Sequence, residues 1–198
     1  MVEHIYRFAG LYEIVILDNA SSYGPLLDWY ATKPCKVVPL GSNMGHTAPW
    51  TPQAQIEILT DQYVVTDPDL DLAGVPRDVL PHLAALLERH PQYGKMGLSL
   101  ETKDYGPGHP YHKVNAHIEA ICWAKPLLEG AFRAAPIDTT FALYDKRIMN
   151  EYKICGARTD RPYTCRHLPW YIQKPDAEFA YYLQHANSSS SYKTHAKR

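Results

Sequence analysis

The chain has 198 residues and 22.5 kDa, enough to grow one hydrophobic core, and 45% of its residues are hydrophobic and 21% charged. That mix excludes a disordered, collagen-like or coiled-coil protein. Twenty Lys and Arg against 21 Asp and Glu leave a formal charge of -1, which argues against a large basic nucleic-acid surface or a polybasic membrane patch.

Fifteen Tyr and 16 Pro point to long ordered loops with amphipathic walls, suited to a polar ligand. Cys35, Cys122, Cys155 and Cys165 form no Cys-x-x-Cys pair. Residues 1–10, with Glu3, His4 and Arg7, are too polar for a secretory signal. A cytoplasmic, reducing environment is therefore expected rather than a disulfide framework. No apolar run approaches a membrane span.

The β-branched run 12–17 reads as a buried strand ending in Asp18-Asn19-Ala20-Ser21-Ser22. Gly24-Pro25 opens a short helix over 26–31. A second strand over 35–40 ends in Gly41-Ser42-Asn43-Met44-Gly45. Residues 53–59 are expected to be helical, and 62–66 form a third strand that runs into Asp67-Pro68-Asp69-Leu70-Asp71-Leu72. Pro76 and Arg77 then start a helix whose Val79, Leu80, Leu83, Leu86 and Leu87 make one apolar stripe, closed by His90-Pro91. A strand follows over 95–100.

Strands alternating with helices predict an α/β fold. Its sheet is open and mainly parallel, covered by helices on both faces, with ligands at the carboxyl ends of the strands. The polar clusters beginning at Asp18, Gly41 and Asp67 all fall at such ends. The C-terminal half is less regular. It has a Gly- and Pro-rich loop over 102–112, a helix over 115–124, extended segments over 131–136 and 140–144, and a strand over 151–157. Pro175-Asp176 opens a final helix with Phe179, Tyr182, Leu183 and Ala186 on one face. The expectation is a single domain over 1–186, in two halves that meet at about residue 100, and a flexible tail over 187–198.

Asp67 and Asp69 stand two apart in an extended segment, so both carboxylates point to one side. They repel unless a cation neutralises them, and a hard divalent ion with oxygen ligands does so while keeping positions free for phosphate. A solvated acidic turn is the alternative. Asp18 and Asn19 can meet a nucleobase edge or ribose, or make an Asx turn or helix cap. Asn43, beside Gly45, allows close backbone approach or is simply a turn. Arg166 can meet a phosphate in bidentate fashion, and Trp170 and Tyr171 can stack on a sugar.

A strand with Asp-Asn-Ala-Ser, then one with Asn-x-Gly, then one with Asp-x-Asp resembles a family 2 type glycosyltransferase of the GT-A fold, over residues 12–100 and less closely to about 185. The resemblance implies transfer of a sugar from a nucleotide diphosphate donor to a glycan or other hydroxyl acceptor. It implies Asp18 at the base, Asp67 near ribose and metal, and Asp69 holding Mn or Mg against the diphosphate. It also implies a late His, here His167, that completes the metal site or binds the acceptor, and a base Asp downstream of Asp67-Pro68-Asp69. Asp138, between two extended segments, is the first choice for that base. Glu101 and then Asp104 are its rivals. Family members usually begin with one more strand. This chain begins in the helix that follows it, so the first strand is missing or supplied by another segment, and the chain reads as a trimmed piece of a longer protein. A nucleotide-sugar-binding domain without turnover is the alternative function. A nucleotidyltransferase is less favoured, because no Gly-rich basic phosphate loop is present.

Overall fold

Short β-branched runs bounded by Gly, Pro and Asp make strands, and the period of the leucine-rich run makes a helix. The computed structural model describes residues 1–109, 112–174 and 176–187, so the expected tail over 188–198 lies outside the described residues. In chain order the helices are α1 (Val2–Ile5), α2 (Gly24–Tyr30), α3 (Pro52–Glu57), α4 (Val79–Arg89), α5 (His112–Trp123) and α6 (Ala177–His185). The strands are β1 (Val15–Asp18), β2 (Lys36–Pro39), β3 (Gln62–Val65), β4 (Leu70–Asp71), β5 (Lys95–Gly97), β6 (Ser99–Leu100), β7 (Phe132–Arg133), β8 (Ala142–Asp145), β9 (Ala157–Thr159) and β10 (Thr164–His167). The chain divides into two units, one made of Met1–Leu11 with Thr60–Gln173, the other of Tyr12–Leu59 with the segment from Lys174 onward.

In the smaller unit β1 and β2 pair in parallel, from Val15 opposite Lys36 to Asp18 opposite Pro39. Each helix start has its own stop-gap for the free N–H groups. Pro25 opens α2. Thr51 caps α3, its hydroxyl accepting from the Ala54 amide. Asp176 caps α6, accepting from the Phe179 amide at 2.8 Å. Neither α2 nor α6 buries a residue fully. Just ahead of α2, the Tyr23 ring lies 5.1 Å from that of Tyr181 in α6, and the Ser22 and Tyr181 hydroxyls are 2.7 Å apart.

The larger unit holds the main core. Val79, Leu83, Leu86 and Leu87 of α4 are buried, and α4 packs on β5 and β8. Met96, Phe132, Ile137, Phe141 and Tyr144 complete this core. Its five-stranded sheet has the order β3-β8-β5-β9-β7, and a second sheet has the order β4-β10-β6. Only β5–β9 and β6–β10 are parallel here; β3–β8, β5–β8, β7–β9 and β4–β10 are antiparallel.

The fold is therefore mixed α/β, and the expectation of a mainly parallel sheet holds only for β1–β2 within its unit. The physical reason is β8. It is buried at every position and lies between β3 and β5, running against both. Burial pattern reports that a strand is covered, not which way its neighbour runs. The single strand expected over 95–100 is cut at Leu98, whose amide donates to the Phe141 carbonyl. Its two pieces enter different sheets. No strand spans 151–156; β9 begins at Ala157. Gly97 is needed where it stands, since a Cβ there would lie 2.6 Å from the Phe141 carbonyl oxygen and 2.2 Å from Ile137 Cδ1. That close approach seats the segment carrying Asp138.

Candidate metal centre

The centre is assembled by strand register. β3 ends at Val65 and delivers Asp67. The chain turns through Asp69 and re-enters a sheet as β4. There it pairs antiparallel with β10, His167 opposite Leu70 and Arg166 opposite Asp71, and the Leu168 amide donates to the Asp69 carbonyl at 2.9 Å. This ladder sets His167 beside Asp69, with Nε2 to Oδ1 at 3.3 Å. One ligand atom from each of Asp67, Asp69 and His167 lies within 4.8 Å of the others.

The electrostatics are unbalanced. Burial pushes the Asp67 carboxyl up to about 6, and the neighbouring Asp69 charge adds to this; a hydrogen bond from Thr139 and the imidazole of His167 act the other way. Burial pulls His167 down, but Asp69 and then Asp67 outweigh it and the net direction is up. Asp69 Oδ1 is buried and accepts no well-aligned hydrogen bond; His167 Nε2, at 3.3 Å, faces it as an ion-pair partner. Buried oxygens without an aligned donor are uncommon and costly. Two carboxylates and an imidazole that gather their ligand atoms around one point fit a divalent ion. Two oxygens and one nitrogen leave coordination positions for other oxygen ligands.

Asp138 is exposed between the buried Ile137 and Thr139, and its charge is felt at Asp67. The Tyr152 hydroxyl donates to Asp138 Oδ1 at 2.9 Å. Below it, Lys95 is fully buried. Its ammonium donates to the Tyr144 hydroxyl at 3.0 Å and to the Lys153 carbonyl. Burial lowers its pKa to about 8, although the Asp138 charge opposes this. The backbone ahead of Asp138 is pinned by Arg158, whose Nε donates to the Pro136 carbonyl and whose Nη1 donates to both Glu119 oxygens at 2.9 and 2.7 Å.

The other expected residues are differently employed. Glu101 takes a bidentate contact from Arg161 at 2.7 Å and the amides of Thr102 and Lys103 at 2.9 Å. The Arg161 guanidinium is the first cause that holds it down to about 2, which leaves it a poor proton acceptor. Arg166 Nε donates to Asp104 at 2.7 Å, and Asp71 lies 3.7 Å from its Nη1. Asp104 also accepts from the Tyr171 hydroxyl at 3.0 Å. Trp170 lies against His167, ring centres 5.4 Å apart.

Asp18, Asn19 and Asn43 belong to the smaller unit. There Asp18 accepts from the Tyr30 hydroxyl at 3.0 Å and the Ser21 amide at 3.2 Å. Asn19 spans the Gly41–Gly45 loop, taking the Met44 amide at 3.0 Å and donating to the Gly45 carbonyl at 3.1 Å. Asn43 accepts from the Gly45 amide and from Asn187.

Thr139, Tyr152, Lys95, Arg158 and Glu119 carry no motif and come to notice only through their contacts. Lys95 alone leaves a trace, as a charge opening an otherwise apolar strand. All four cysteines are free thiols, and no helix of the described residues is long and apolar enough to cross a membrane. No protein-family model matches the chain, and neither a curated protein nor a solved structure matches it.

Proposed function

We propose that the chain is a metal-dependent glycosyltransferase that moves a sugar from a nucleotide diphosphate donor to an acceptor hydroxyl with inversion. The observation that carries this reading is the meeting of Asp67, Asp69 and His167, with Asp69 Oδ1 buried and making no aligned hydrogen bond. These three side chains would hold Mn or Mg. The nitrogen donor tilts the choice toward Mn. When bound, the ion supplies positive charge against the departing diphosphate. Asp138 takes the proton of the acceptor hydroxyl as that oxygen attacks the sugar. Its carboxylate is exposed, and the Tyr152 hydroxyl engages only one of its oxygens. Glu101, tied to Arg161, is not the base.

Titration with Mn2+, followed by calorimetry, tests the metal half of the proposal. Asp69→Ala loses at least about 100-fold in affinity while its circular dichroism stays unchanged; equal affinity in the variant sinks the assignment. Donor hydrolysis and transfer, screened across nucleotide diphosphate sugars, test the rest. Asp138→Asn keeps donor binding and loses transfer. Donor binding by the unaltered chain with neither hydrolysis nor transfer would convert the reading to a binding domain without turnover.

A further inference from the structure

Helix α5 is built inside out. Its inner face buries Glu119 and Cys122 and carries polar groups that are engaged. Asn115 donates to the Tyr105 hydroxyl at 3.3 Å, Glu119 is clasped by Arg158, and Trp123 Nε1 donates to the Leu100 carbonyl at 3.0 Å. The Trp123 ring also carries the Arg133 and Arg161 guanidinium groups at 4.9 and 4.2 Å. The outer face carries Val114, Ile118 and Ile121, which are 42%, 52% and 51% exposed. Spaced by four and three residues, they form one row along the helix. A solvent-facing helix ordinarily shows the reverse arrangement.

The exposed charges that α5 and the turn after it contribute have one sign. Glu119 is the sole acid of α5 and is buried, whereas Lys113 is exposed near the start of the row and Lys125 two residues past the end of the helix. A second copy docked through a two-fold axis would set lysine against lysine in either helix direction, with no acid of α5 to offset it. The segment 188–198 carries Lys193, Lys197 and Arg198 and no acid, so it is no electrostatic match either. An apolar row flanked by lysines is the pattern that lies in the headgroup layer of an anionic bilayer, side chains down and ammonium groups among the phosphates. The even overall charge conceals this, because it averages over faces. We propose that α5 docks the protein onto an anionic lipid surface. The proposal is independent of the glycosyltransferase reading, since none of its residues belongs to the metal centre.

The test is cosedimentation of the whole chain with phosphatidylcholine vesicles, with and without phosphatidylglycerol. The chain should pellet with the anionic vesicles only, and added salt should release it. Ile118→Asp should weaken binding by about tenfold or more, and Lys113→Gln and Lys125→Gln by about fivefold each. All three positions are exposed, so the melting temperature should not fall, and Ile118→Ser provides a milder second variant. A wild-type chain that stays in the supernatant, or Ile118→Asp and Ile118→Ser variants that bind as the wild type does, would overturn the proposal. So would concentration-dependent dimerisation, seen by sedimentation velocity and abolished by Ile118→Asp, which would give this face to a second copy.

Discussion

At the end of β1, both oxygens of Asp18 are in use, one by the Tyr30 hydroxyl and the other by the Ser21 amide. At the end of β3, Asp67 and Asp69 crowd each other, and one buried oxygen of Asp69 makes no aligned hydrogen bond and has only the His167 imidazole beside it. Both clusters follow an apolar strand, and as sequence they look alike. The first is closed: its polar groups satisfy one another and hold a loop. The second is open: its two carboxylates raise each other's cost of ionisation and are offset in part by the His167 imidazole. A carboxylate that folding already satisfies contributes to stability, whereas one that folding strains is available for binding.

The comparison breaks most directly at Asp18. Asp18→Ala strips a buried acceptor from Tyr30 and from the Ser21 turn, so it should cost about 2 kcal/mol in urea unfolding. Its Mn2+ affinity should match the wild type. Asp69→Ala should behave in the opposite way, losing the ion and keeping stability. If instead Asp18→Ala loses the ion at unchanged stability, the roles assigned to the two strand ends are exchanged.

Glu101 sharpens the contrast within the larger unit, because it is a satisfied carboxylate on the same unit as the strained ones. Its pKa is depressed in the folded chain, so its contribution is complete above its ordinary value of 4.5 and disappears as pH falls toward about 2. The Arg161 contact is partly exposed to solvent, which limits the effect to about 1 kcal/mol. Acid unfolding curves of the wild type and Glu101→Gln should therefore differ above pH 4.5 and converge toward pH 2. Curves separated by a constant amount throughout would mean that Glu101 acts by packing and not by charge.

Much of the smaller unit was legible in its sequence. Val15–Asp18 and Lys36–Pro39 announce themselves by β-branching and by the polar turns after them, and Pro25 and Asp176 mark the starts of α2 and α6. The stripe from Val79 to Leu87 gives α4 within a residue or two. The larger unit hides more. β4 has two residues and β10 four, and they meet across nearly a hundred positions, so neither shows a period. Asp67 and Asp69 stand out because they follow an apolar strand. His167 is reachable only through a family resemblance, because the register that sets it opposite Leu70 is a tertiary fact. The direction of β8 is hidden for the same reason. Thr139 and Tyr152 are common residue types whose meaning is purely one of position.

The smallest expected effect has the most informative sign. Asp67→Asn keeps an oxygen that can accept from Thr139 but removes the charge that Asp69 repels. Because the Asp67 carboxyl is pushed up to about 6 in the folded chain, ionising it at pH 7 works against the fold, and its loss should raise stability by about 1 kcal/mol in chelator. Adding Mn2+ should reverse the order, since the wild type gains by linkage what the variant cannot. A site kept for structure loses stability whenever its carboxylate is removed. Only a site waiting for a cation makes the sign of the mutation depend on whether the cation is there, and urea melts of the two proteins in chelator and in Mn2+ read that sign directly.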